Sequence, residues 1–191
     1  MAITIDVTAF TDSIGDRAFA RLCANNPETK FETTKEGKLI VMSPTGSESG
    51  KKNADLLIQI GIWNRRYKLG VVFDSSTGFK LSNGATRSPD VSWIKSDRWN
   101  SLTLKQQKRF APIDPDFVIE LVSPTDNLLE LQQKMVEYIN SGVKLGWLID
   151  PEQKQVEIYR IDGTKEVLNC PSILSGENIL PELNVDLTEI F

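Results

Sequence analysis

The sequence has no histidine at all. That absence removes serine–histidine and cysteine–histidine nucleophilic catalysis, histidine zinc sites and histidine general bases at once. Any catalysis must run on carboxylates, lysine, hydroxyls and a hard, oxygen-preferring metal ion. Cysteine is scarce too. Cys23 and Cys170 stand far apart and outside any metal-like spacing, which fits reduced packing residues better than a disulfide framework. Long apolar runs are missing, and the start, Met1 to Asp6, has neither the basic residues nor the sustained apolar core of a signal peptide. A protein of the cytoplasm, without a membrane span, is expected. Positive charge is not in excess either: 22 basic against 26 acidic residues leave a net charge of −4. A nucleic-acid partner would therefore need a local basic surface. Lys51-Lys52, Arg65-Arg66, Lys68, Lys105 and Lys108-Arg109 are candidates, although such short clusters are usually solvated faces.

What is present fits one domain over residues 1–191, without repeats or low-complexity tracts. The stretch around which the rest is organised is Pro115-Asp-Phe-Val-Ile-Glu-Leu-Val-Ser-Pro124. Its apolar run, 117–122, reads as a strand covered on both faces, so Glu120 is expected to be at least partly buried. A carboxylate there is costly unless it shifts its pKa, pairs with a cation or binds a metal.

In chain order, 12–25 reads as an amphipathic helix, 30–34 and 38–42 as a hairpin around Lys35-Glu-Gly37, and a helix is expected from Ser47 to about Tyr67. Glu48 falls in that helix's first turn, where the helix dipole favours a carboxylate whether or not it serves a site. Short strands follow at 71–73 and 78–81, around a turn, and Asn83-Gly84 marks another turn. Asp90 immediately precedes an apolar strand, 91–94. The polar stretch 99–112 reads as a loop with a short helical piece. After the Glu120 strand, Ser123 to Asp126 offers capping residues for a helix running to Asn140 and closed by Ser141-Gly142. Leu128, Leu131, Met135, Tyr138 and Ile139 form one stripe, with Lys134 at its edge, while Glu130 and Glu137 are expected to point away. Strands at 146–150 and 155–161 follow, the first parallel to the Glu120 strand. The tail from Leu174 is expected to close an edge or support a partner chain.

Asp90, Glu120 and Lys134 thus converge in expectation. Two carboxylates from neighbouring strands could hold Mg²⁺ or Mn²⁺, and a lysine beside them could orient a water and steady phosphate charge. At these residues the sequence resembles the Uma-two group, bacterial proteins classed with the restriction endonucleases in the PD-(D/E)xK nuclease superfamily. The resemblance spans roughly 43–159 and rests on Pro89-Asp90, Ile119-Glu-Leu-Val-Ser-Pro-Thr125, Gln133-Lys-Met-Val-Glu-Tyr138 and Ser141-Gly-Val-Lys-Leu-Gly-Trp-Leu-Ile-Asp150. It implies an α/β (α+β) fold with a restriction-endonuclease-like core at about 43–161, a mixed sheet flanked by helices, preceded here by the N-terminal helix and hairpin. It also implies a metal-dependent nuclease in which Asp90 and Glu120 are the acidic pair and Glu48 matches an additional acid on the first core helix. The superfamily's motif lysine would stand at Val122, so Lys134, from the following helix, is its expected replacement.

Each residue alone has a plainer explanation. Asp90 could be a turn residue, Lys134 a snorkelling side chain, and Glu120 could be neutralised by Arg87. Asp116 also follows a proline but shares a strand with Glu120, and ranks below Asp90. The expected function is cleavage of DNA with Mg²⁺ or Mn²⁺, without an organic cofactor, by a homodimer matched to duplex symmetry. The alternative is a non-cutting nuclease-fold module that binds nucleic acid or protein.

Overall fold

The strand predicted around Glu120 forms as β8 (Phe117–Leu121), and every residue of it is buried. The structure is a computed structural model describing residues 2–7 and 14–191. β8 is an inner strand of a six-stranded sheet that also contains β4 (Gly70–Asp74), β7 (Val91–Lys95), β9 (Leu145–Asp150), β10 (Gln155–Arg160) and β11 (Lys165–Asn169). The strand order is β11-β10-β9-β8-β7-β4. β7 pairs antiparallel with β8 and β9 pairs parallel with it, so the sheet is mixed. The crossover between β8 and β9 is helix α5 (Leu128–Ser141), which ends at Gly142 with φ +114°. Only glycine takes that conformation without strain, so the sequence stops the helix there. Its N-cap is Asn127, whose side chain accepts from the Leu129 amide, rather than a residue of the preceding Ser123–Asp126 turn.

Alternation along β8 gives the sheet two covered faces. Phe117, Ile119 and Leu121 join one apolar cluster with Leu56, Ile60 and Trp63 of α2 (Ser47–Tyr67). Val118 joins a second cluster with Met135, Tyr138 and Ile139 of α5. Glu120 lies on the Val118 side by the strand's two-residue period, which aims it at α5. Leu128, at the start of the predicted stripe, is 38% exposed and does not join the core.

A second sheet, ordered β1-β3-β2-β6-β5, supplies the wall over the Glu120 end of the first. It is built from β1 (Ala2–Ile5), the hairpin β2 (Lys30–Thr33) and β3 (Leu39–Met42), β5 (Phe79–Lys80) and β6 (Thr86–Arg87). The short strands read at 71–73 and 78–81 therefore belong to different sheets, because β4 pairs with β7 and β5 with β6. Helix α1 (Asp16–Asn25) bears out the helix read at 12–25, although Asp12 and Ser13 lie outside the described residues. The polar stretch after β7 forms α3 (Ser96–Asn100) and α4 (Leu104–Gln107). The tail pairs β12 (Ile173–Ser175) with β13 (Asn184–Asp186) and completes the α2 cluster with Leu174, Leu180, Leu183, Val185, Leu187 and Ile190. Cys23 and Cys170 are both free. No helix among the described residues is long and apolar enough to cross a membrane.

Candidate functional site

β7 and β8 run antiparallel with Val91 opposite Ile119, so Asp90, one residue before β7, stands opposite Glu120 in the same register. Asp90 is fixed there by a hydrogen bond from the Leu121 amide to its Oδ2, at 2.9 Å. Helix α5 then brings Lys134 over the strand. Lys134 Nζ lies 2.8 Å from Glu120 Oε1, and the Tyr138 hydroxyl donates to the same oxygen at 2.8 Å. Residues 134 and 138 share a helix face, so one turn of α5 delivers both donors. The three residues predicted to converge line a single cleft of about 1260 Å³.

At the centre of the network is a residue that sequence reading missed. Glu32, on β2, is only 2% exposed. Its Oε1 accepts from Lys134 Nζ at 3.1 Å and from the Ser88 amide at 2.9 Å, while Oε2 takes Arg87 Nη1 at 3.1 Å. Glu32 therefore ties the hairpin to the loop just before Asp90 and to Lys134. Its only sequence signal is an acid between Phe31 and Thr33 in a short strand, which solvent exposure would explain equally well. Arg87, weighed as a partner for Glu120, instead bridges Glu32 and Glu137, with its Nη2 2.5 Å from the latter. Glu137 thus does not point away, because buried Arg87 draws it inward. Glu130 is exposed, as expected.

Charge is distributed unevenly. Burial alone would raise the Glu32 pKa, but Lys134, Arg87 and Lys30 outweigh it and hold the group at about 2. Glu120 goes the other way: burial pushes it up to about 7, opposed by Lys134 and reinforced by Asp90 and Glu32. Asp90 is raised as well, chiefly by burial. Lys134 loses hydration yet stays well above its ordinary value because two carboxylates face it. Its ammonium is thus secure, but Glu32 shares it, and the Asp90–Glu120 end is left short of positive charge.

Among the described residues, no group of three or more metal-ligating side chains is assembled. The donors present nonetheless suit a hard cation that keeps part of its water shell and needs one or two carboxylates. The Leu121 amide engages Asp90 through Oδ2, and Lys134 and Tyr138 both engage Glu120 through Oε1. Asn53, on α2, also lines the cleft and carries a buried Oδ1 without a partner among the described residues. Glu48 lies in the first turn of α2, at the cleft's mouth, 81% exposed and 3.2 Å from Lys52. Asp116 is separate, because it sits at the opposite end of β8 and binds Lys144 at 2.7 Å and Arg98 at 2.9 Å. The basic positions singled out in the sequence do not line the cleft. Its cations are Lys30, Lys35, Arg87 and Lys134, facing nine carboxylates.

The sequence model of the Uma2 family, described as "Putative restriction endonuclease", matches residues 16–188. No curated protein matches the chain. Among solved structures, the fold is similar to that of "a putative nuclease belonging to DUF820 from Anabaena variabilis", with 22% identity and a TM-score of 0.71 over 86% of this chain and 90% of that one.

Proposed function

Because the chain belongs to the Uma2 family, we propose that it is an endonuclease that hydrolyses DNA phosphodiester bonds with a bound Mg²⁺ or Mn²⁺. The observation that carries this reading is the Asp90–Glu120 pair, half-buried and buried respectively, adjacent across two strands and under-neutralised by the one lysine that Glu120 shares with Glu32. The cation would be held by Asp90 and Glu120, and when bound it supplies Lewis-acid stabilisation of the phosphate and a more acidic water.

The chain's own residues do the rest. Tyr138 and Lys134 hold the Glu120 carboxylate in one orientation through Oε1. The Leu121 amide does the same for Asp90. Lys134, kept protonated by its two acids, orients the attacking water and steadies charge on the phosphate oxygens. Glu48, at the mouth, serves as an auxiliary ligand or base. Water adds to phosphorus and gives up a proton to solvent as the bond to the leaving deoxyribose oxygen breaks and that oxygen takes up a proton. A homodimer would present two such clefts to the two strands of a duplex.

Plasmid DNA incubated with the protein and Mg²⁺ or Mn²⁺ tests the reading. Cutting is expected in the wild type and its loss in Asp90→Ala and Glu120→Ala; equal cutting by both variants contradicts the assignment. One observation favours a second reading, a nuclease scaffold that binds without cutting: acids outnumber bases in the cleft, which opposes phosphate entry. That reading predicts binding of DNA with no strand breakage in any divalent metal.

A further inference from the structure

The outer face of α2 is unexplained by the cleft. The helix buries Leu56, Ile60 and Trp63 against the sheet, yet on the opposite side Ile58 is 57% and Ile62 64% exposed. Two adjacent bulky apolar residues on one exposed turn are more than scattered surface hydrophobicity. They belong to a single stripe, Lys51, Asp55, Ile58, Ile62 and Arg65, whose alternating four- and three-residue spacing is that of a helix–helix seam. Beside them, a Cβ at Gly61 would meet nothing within 4 Å, so a second backbone can approach closely.

The charges on the stripe identify the occupant. Asp55 lies one turn before Ile58, and Arg65 one turn after Ile62. Arg65 makes no ion pair among the described residues. Suppose a second copy of α2 lies antiparallel, with its Ile62 against Ile58. The two-fold axis then sets its Arg65 against Asp55, and its Asp55 against Arg65. A parallel copy would set acid on acid and base on base, which is repulsive. The 21-residue helix is about 30 Å long, enough for all these layers.

We propose that the protein forms a two-fold dimer along the outer faces of α2, with isoleucine packing at its centre and an Asp55–Arg65 pair at each end. This names a surface for the homodimer of the proposed function, but it stands on α2 alone. A monomer that cuts DNA would overturn the interface and leave the nuclease reading intact.

Analytical ultracentrifugation at micromolar concentration, with circular dichroism to confirm folding, tests it. The wild type should sediment as a dimer and Ile62→Asp as a monomer. Asp55→Arg and Arg65→Asp should each raise the dissociation constant about tenfold or more, and the double reversal should restore it. A monomeric wild type overturns the proposal, as do charge reversals without effect or a double variant no tighter than the single ones.

Discussion

Glu32 secures two cations and a backbone amide while nearly excluded from water, so its replacement should show in stability and in catalysis together. Glu32→Gln leaves Arg87 and Lys134 short of a partner, and breaking a buried pair from one side costs about 3 kcal/mol. Urea denaturation should show that loss. If Glu32 positions Lys134, kcat falls while KM for DNA changes little; an unchanged kcat would reduce Glu32 to a structural role. Asp116 supplies the residue-scale pH test, remote from the cleft. Despite burial, Lys144, the Lys95 amide and Arg98 hold its carboxyl below the usual range. A lowered folded-state pKa stabilises above the unfolded value and ceases to do so as pH falls through the folded one. Asp116→Asn should therefore be less stable than wild type at neutral pH, with the gap closing below about pH 4; a gap that persists undiminished at low pH would contradict this.

At the scale of elements, two glycines mark close approaches, Gly70 between the neighbouring strands β4 and β7 and Gly146 between the sheet and helix α5. A Cβ on Gly70 would stand 2.3 Å from the Ile94 carbonyl oxygen and from the Trp93 ring, and backbone cannot yield. A Cβ on Gly146 would meet chiefly the Met135 Cε at 2.5 Å, the movable end of a side chain. Gly70→Ala should cost about 3 kcal/mol and Gly146→Ala about 1 kcal/mol, an order that thermal denaturation checks. Elements were also the scale most legible in the sequence. The Ser47–Tyr67 helix, the hairpin at Gly37 and the buried Glu120 strand announce themselves through period, punctuation and one misplaced acid. The site was legible only in part. The burial of Glu120 and the helix face of Lys134 follow from period and phase, which a single segment carries, whereas the approach of Asp90 rests on the pairing of two strands. Glu32, the inward turn of Glu137 and the separation of β4 from β5 depend on which sheet each strand joins. No local pattern encodes that, because the contacts are settled between segments as much as 102 residues apart in sequence.

For the whole molecule, the balance of charge matters more than its total. The cleft is lined by nine carboxylates and four cations, so under the proposed function DNA would approach against its field. Glu28, Glu36 and Glu130 are exposed lining residues outside the buried network. Replacing all three with glutamine should lower KM for DNA about threefold or more without changing kcat, and the advantage should fade as salt is raised. An unchanged KM would show that the rim does not meet the substrate. Whether Asp90 and Glu120 share a divalent cation is measured directly by isothermal titration of the protein with Mn²⁺. Saturable binding is expected in the wild type and its loss in both Asp90→Asn and Glu120→Gln, each still folded; a wild type without heat, or variants that bind as well as it does, would contradict the account.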